Sequence, residues 1–218
     1  MEPGPAKTLE NARSLRKVGV LASGSGTLLD AILSDGIPVA LVVTDRPCKA
    51  TEVADRHGVA SVVHERASFG SSFDREAYTK EVAELLAGWG IDLVVMAGYG
   101  TVFGQAIHDA YPFRILNTHP ALLPAFKGWH AVDDALAYGV KVTGCTVHVA
   151  TLEVDTGPIL AQEAVPVHDD DTADTLHERI KAVERRLYPA TIRAVLDDPS
   201  MLDRPDPPSH PETPESTP

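Results

Sequence analysis

Lys17 to Leu33 reads KVGVLASGSGTLLDAIL, and the succession of its three parts decides the fold. Lys17-Val18-Gly19-Val20-Leu21-Ala22 is an apolar run of strand length, Ser23-Gly24-Ser25-Gly26-Thr27 is a glycine turn, and Leu28 to Leu33 has helical character. Strand, glycine turn and helix together make an anion site. Glycine lets the backbone approach a ligand, and the unpaired amides at the helix start carry the positive end of the helix dipole. The turn matches neither the Walker pattern nor a complete G-x-G-x-x-G. On these residues alone a phosphate loop and a tight structural turn both remain open.

The rhythm continues on the C-terminal side. PVALVVT at Pro38 to Thr44 reads as a second strand, Lys49 to His57 as a short helix and Val59 to Val63 as a third strand, which is βαβ order. Tyr78, Val82, Leu85, Leu86 and Trp89 share one helical stripe, with Tyr78 and Trp89 assigned to the core and Ser71 and Asp74 as a capping pair. Ile91 to Ala97 is apolar except for Asp92, as in a strand covered on both faces of a parallel sheet. Ala131 to Tyr138 reads as a helix ended by Gly139, and Thr143 to Ala150 and Pro158 to Val165 read as strands. A final helix from near Thr172 buries Leu176, Ile180, Val183 and Leu187, and Pro189 is expected to kink or end its first part. The fold class is therefore α/β, a single Rossmann-like domain over residues 17–196 with a mostly parallel central sheet flanked by helices. Residues 1–16 read as a flexible leader. Residues 197–218 hold seven of the 17 prolines and six acids against one base, and read as a disordered acidic tail.

Ligands in open α/β sheets sit beyond the carboxyl ends of the strands, so the turns at 23–27, 98–103 and 117–124 are expected to line one crevice. The last of these lies in RILNTHPALLPAFKGWH, Arg114 to His130. Ile115-Leu116 reads as the end of a buried strand, and Pro120 and Pro124 forbid an ordinary helix beyond it. If the chain stays extended to His119, Asn117 and His119 project to the same side. An amide and an imidazole facing one volume suit acyl transfer, where one donor meets the oxyanion and the other group moves a proton. Thr151 to Gly157 forms a loop between strands and carries Glu153 and Asp155.

A net charge of −12 without a basic run argues against a nucleic-acid surface. Cys48 and Cys145 form no C-x-x-C pattern, and the nine histidines show no H-E-x-x-H, so neither a disulfide framework nor a metal is expected. No stretch has the length of a membrane span, and residues 1–16 lack the apolar core of a signal peptide. These features point to a cytoplasmic protein acting on small molecules, with no nucleic-acid or membrane partner; the oligomeric state stays open, with a homodimer among the candidates.

Three separated pieces, SGSGTLL at Ser23 to Leu29, NTHPALLP at Asn117 to Pro124 and the turn Asp155-Thr156-Gly157-Pro158, resemble the folate-dependent glycinamide ribonucleotide formyltransferases over roughly residues 17–196. The resemblance implies transfer of the formyl group of 10-formyltetrahydrofolate, a co-substrate, to the amine of glycinamide ribonucleotide. It implies Asn117 as the oxyanion donor, His119 as the proton-bearing group and Asp155 as the carboxylate that favours the charged imidazole. It implies that the nucleotide lies on Gly26, Thr27 and Leu28 and on the Lys181-Ala182-Val183-Glu184 segment. The folate is implied at Arg75, Gly100, Thr101, Val102, Phe103, Asn117 and the loop Thr151, Leu152, Glu153, Val154 and Asp155, with His148 supporting the site.

Three departures stand out. Many relatives carry Gly-Phe-Met-Arg/Lys where this chain has Gly98-Tyr99-Gly100-Thr101, so a long side chain and a cation are missing from the folate wall. Leu28 stands where many carry Asn, and Lys127-Gly128-Trp129-His130 where Pro-Gly-x-His is usual. Other readings keep the same three polar groups. A 10-formyltetrahydrofolate deformylase would hydrolyse the donor, and a methionyl-tRNA formyltransferase would use a charged tRNA. The deformylases usually carry an extra domain at the front and the tRNA enzymes a basic carboxyl-terminal one, and neither is expected here from a single domain over residues 17–196. A catalytically silent nucleotide- or folate-binding module is the reading from another class.

Overall fold

A computed structural model describes residues 15–68, 70 and 73–203. Strands β1 (Val18–Ala22), β2 (Val39–Thr44), β3 (Ser61–Val63), β4 (Leu93–Met96), β5 (Ile115–His119), β6 (Val142–Val149) and β7 (Ile159–Pro166) form one sheet in the order β3-β2-β1-β4-β5-β6-β7. β1 pairs in parallel with both β2 and β4, β2 with β3, and β4 with β5. β6 and β7 then add antiparallel, so the sheet is mostly parallel as its continuous apolar runs indicate. From β1 the chain proceeds outward to β2 and β3, then returns to the other side of β1 as β4. This reversal opens a crevice at the carboxyl ends of β1 and β4.

Both faces are covered, which is why β1 and β4 are buried at every position. On one face α1 (Thr27–Ser34), α2 (Lys49–Arg56) and α6 (Ala173–Asp197) pack through Leu29, Ile32, Ala54, Tyr188 and Ile192 against Val20, Val42 and Val95. On the other, α3 (Arg75–Gly88) and α4 (Gln105–Ala110) bring Tyr78, Val82, Leu86 and Ile107 against Leu21, Val43, Val94 and Ile115. α5 (Ala131–Tyr138), closed by left-handed Gly139, packs Val132 against Leu176 and Ile180 of α6.

Several expectations need correction. Trp89 is the C-cap of α3 and 41% exposed, because the helix ends at Gly88 and the apolar stripe runs out one turn early. Asp74 caps α3 by accepting the Ala77 N–H at 2.9 Å, while Ser71 lies outside the described residues. α6 runs unbroken through Pro189 for 25 residues. Proline removes one hydrogen bond there, and the burial of Tyr188, Pro189, Ile192 and Val195 beside it compensates. Val183 and Leu187 are half-buried rather than fully enclosed. α4 has no counterpart in the sequence reading. Its start is capped by a distant residue, Glu76, whose carboxylate accepts from the N–H groups of Gln105 at 2.9 Å and Ala106 at 2.8 Å. Most of the leader and most of the acidic tail, residues 1–14 and 204–218, lie outside the described residues. No helix among the described residues is long and apolar enough to cross a membrane.

Candidate active site

The crevice at the strand reversal is a cavity of about 430 Å³, lined by the turns after β1 and β4, the end of β5, the β6–β7 loop and one side of α6. Its first wall is the glycine turn. Gly26 is the N-cap of α1 with φ 75° and no side-chain cap, so the first amides of the helix face the cavity without a protein partner from that residue. A Cβ on Gly26 would stand 2.8 Å from Val53 Cγ2 and 3.0 Å from Ala50 Cα, so both conformation and crowding demand glycine. Leu28 lines the cavity but is buried among the core residues, and only its backbone can serve a ligand.

β5 stays extended through His119, which puts Asn117 and His119 on the cavity. Asn117 stands directly opposite His148 in the β5–β6 ladder. That register brings Asn117 Nδ2 to 3.3 Å from His148 Nε2. His148 Nδ1 lies 3.0 Å from the Val149 carbonyl, which can only accept, so the proton sits on Nδ1 and Nε2 accepts from the Asn117 amide. Burial pushes the His148 pKa below its ordinary value, in agreement with this neutral tautomer. One Asn117 amide hydrogen is thereby fixed, and the second remains to serve a ligand.

Asp155 reaches the site from the β6–β7 loop with φ 56°, a left-handed conformation that Asp tolerates. Its Oδ2 lies 3.3 Å from His119 Nδ1 and accepts the Gly128 N–H at 2.8 Å. His119 Nε2 lies 2.7 Å from the Phe126 carbonyl. Nε2 therefore carries hydrogen, and a second proton on Nδ1 would meet a carboxylate. The loop after Pro124 thus touches both partners of the pair, with its Phe126 carbonyl on the imidazole and its Gly128 amide on the carboxylate.

The third wall is α6. His177, Ile180, Lys181 and Glu184 line the cavity at helical spacing, while Ala182 is exposed and Val183 turns toward the core under α5. Glu184 accepts the Thr118 hydroxyl at 3.0 Å, and burial raises its pKa despite that bond and the nearby Lys181 and Arg185. Lys181 pairs with Glu178 at 2.9 Å. His177 was missed in the sequence, although its place one turn before Lys181 on the same stripe is a legible signal.

Of the residues expected at the folate, Gly100, Thr101, Val102, Phe103, Asn117, Thr151, Val154 and Asp155 line the cavity. Arg75, Leu152 and Glu153 are exposed and do not. Arg75 starts α3 beside Glu76, which faces α4, and one residue is about 100° of helix rotation, which turns Arg75 outward. Phe103 spends most of its ring on Tyr99, with centroids 5.7 Å apart, and is 4% exposed. Gly128 and Trp129, part of the altered loop, also line the cavity, and Trp129 is 70% exposed at its rim. Among the described residues no group of three or more His, Cys, Asp or Glu is placed to hold a metal ion.

Residues 16–192 match the formyl transferase family. A phosphoribosylglycinamide formyltransferase of Mycobacterium tuberculosis is 47% identical over 181 residues, spanning 81% of this chain and 83% of the relative. One of Bacillus subtilis is 36% identical, spanning 84% and 95%. Among solved structures, glycinamide ribonucleotide transformylase 1 of Symbiobacterium toebii superposes with a TM-score of 0.79 at 44% identity, covering 88% of this chain and 92% of that one.

Proposed function

Since the chain belongs to the formyl transferase family and, within it, to the phosphoribosylglycinamide formyltransferases, we propose that it transfers the formyl group of 10-formyltetrahydrofolate to the amine of glycinamide ribonucleotide. The observation that carries this reading is the meeting of Asn117, His119 and Asp155 on the same cavity as the open amides of the glycine turn. The ribonucleotide phosphate takes the amides at Gly26 to Leu28, Lys181 neutralises it, and Glu184 serves the ribose hydroxyls. The formyl donor lies along Gly100 to Val102 and against Thr151, Val154 and Asp155.

The amine attacks the formyl carbon, forming a C–N bond and placing negative charge on the formyl oxygen. The second Asn117 amide hydrogen donates to that oxygen, with His148 holding the side chain in the required rotamer. His119, with its Nδ1 3.3 Å from Asp155 Oδ2, lies beside it and provides the proton that leaves with N10 of the folate. For its Nε2–H to reach the reacting atoms it must exchange the Phe126 carbonyl for substrate, so substrate entry displaces the loop after Pro124. Collapse breaks the C–N10 bond, the attacking nitrogen gives up its extra proton to solvent, from which His119 is reprotonated, and tetrahydrofolate and the formylated amine result.

The test is direct. Purified protein is mixed with 10-formyltetrahydrofolate, with and without glycinamide ribonucleotide, and tetrahydrofolate release is followed. Release that depends on the ribonucleotide is expected. Release at the same rate without it identifies a deformylase, and no release under either condition identifies a silent binding module.

A further inference from the structure

Gly100 and Thr101 of the proposed folate wall have a buried charged group behind them. Asp45, directly after β2, is fully buried, an unusual place for a carboxylate. Arg46 grips it bidentately, Nε to Oδ1 at 2.9 Å and Nη2 to Oδ2 at 3.1 Å. Thr101 Oγ1 donates to Asp45 Oδ2 at 3.1 Å and itself accepts from Arg66 Nη1 at 3.2 Å. The Gly100 N–H donates to Ser23 Oγ at 2.7 Å, and the Ser23 hydroxyl is in turn bonded to Asp45. Arg66 is anchored to the same place, its backbone N–H donating to the Asp45 carbonyl at 2.9 Å. The ends of β1, β2 and β4 and the segment after β3 therefore meet at one carboxylate.

Gly100 is part of the same arrangement. A Cβ there would lie 3.1 Å from Arg46 Nη2, 3.5 Å from Ser23 Oγ and 3.6 Å from Asp45 Oδ2. With no side chain at 100 the guanidinium keeps that volume, and Thr101 puts a hydroxyl where it reaches the carboxylate. Wall and buttress fit each other, and neither would accept a long residue at 100 unchanged.

We propose that Asp45 is a positioning residue for folate binding, holding the Gly100-Thr101 backbone in its binding shape through Thr101, Arg46 and Ser23. The proposal rests on the reading of 100–103 as the folate wall. Asp45 is enclosed while the Arg46 side chain is 39% exposed, so the pair adds little net stability for the desolvation of the carboxylate, and its use here is a unique backbone geometry. Catalytic groups lie elsewhere, so the effect falls on folate affinity and spares the chemical step.

Asp45→Asn keeps shape and removes charge. It is expected to raise the KM for 10-formyltetrahydrofolate, and the Kd for tetrahydrofolate by calorimetry, about five- to tenfold, with kcat and the KM for glycinamide ribonucleotide within about twofold of wild type. Arg46→Lys, which keeps the charge and loses the bidentate grip on Asp45, is the second variant and is expected to act in the same direction. A folate KM unchanged in either folded variant overturns the proposal, as does a parallel rise of both substrate KM values. If Asp45→Asn does not fold, Arg46→Lys alone decides. Wild-type protein that binds no tetrahydrofolate removes this proposal together with the functional reading, whereas an active wild type with unaffected variants removes this proposal alone.

Discussion

At the scale of single residues, the candidate chemistry depends on side chains whose partners fix their protonation and aim. Asn117 has one amide hydrogen on His148 and one for an oxyanion, so Asn117→Ala should lower kcat by about a hundred- to a thousandfold without loss of fold. Steady-state kinetics beside a thermal melt check this, and a variant within tenfold of wild type would remove Asn117 from the mechanism. Glu184 gives the opposite balance between stability and use. Burial favours its neutral form, so the folded state binds its proton more tightly than the unfolded chain does, and stability declines as pH rises above the ordinary 4.5 through the folded value. Glu184→Gln is therefore expected to melt higher than wild type at pH 8, with the advantage fading toward pH 4.5, while the KM for glycinamide ribonucleotide rises. Melting curves across that range would refute the account if the advantage did not depend on pH.

At the scale of elements, two ends carry the site. α6 begins on Thr172, whose hydroxyl accepts the Thr175 N–H in a capping box, and Arg179 reaches back to Asp171 with two bonds of 2.7 and 2.8 Å. Those bonds, then the His168 N–H, hold the Asp171 carboxyl well below the usual carboxylate range. The sign is that of a depressed acid. Its stabilisation is present above the ordinary 3.8 and is lost as pH falls below it toward the folded value. Asp171→Asn should thus melt lower than wild type at pH 7, with the gap narrowing below pH 3.8. The other end is the β6–β7 loop. A Cβ on Gly157 would stand 1.9 Å from the Val149 carbonyl oxygen and 2.9 Å from Thr151 Cγ2. Backbone cannot yield by that amount, so Gly157→Ala is expected to displace the Asp155 turn and lower melting temperature and turnover together.

At the scale of the whole molecule, α6 is the strut that ties the Lys181 and Glu184 side of the cavity to β5. Tyr188, fully buried, donates its hydroxyl to the Leu116 carbonyl at 2.8 Å, just before Asn117. Tyr188→Phe removes that donor with little change of shape and should cost about 1–2 kcal/mol in chemical denaturation. A cost near zero would show that the strut is held by packing alone.

Much of this organisation was legible along the chain. Glycine turn, apolar strand runs and helical stripes are local patterns whose period or conformation follows from the backbone itself. The parallel sheet, the crevice and the placing of Asn117 beside His119 could therefore be read from the sequence, whereas Asp155 is singled out from Glu153 only through the family resemblance. What the sequence left open involves distances between segments far apart in the chain. The capping of α4 by Glu76 across 29 residues, the exclusion of Arg75, the opposition of Asn117 and His148 across two strands, and the gathering of Ser23, Asp45, Arg66 and Thr101 behind Gly100 carry no local signature. Each depends on a register, a helix rotation or a backbone approach fixed only when the sheet is assembled, because burial and hydrogen bonding act on neighbours in space without regard to their separation along the chain.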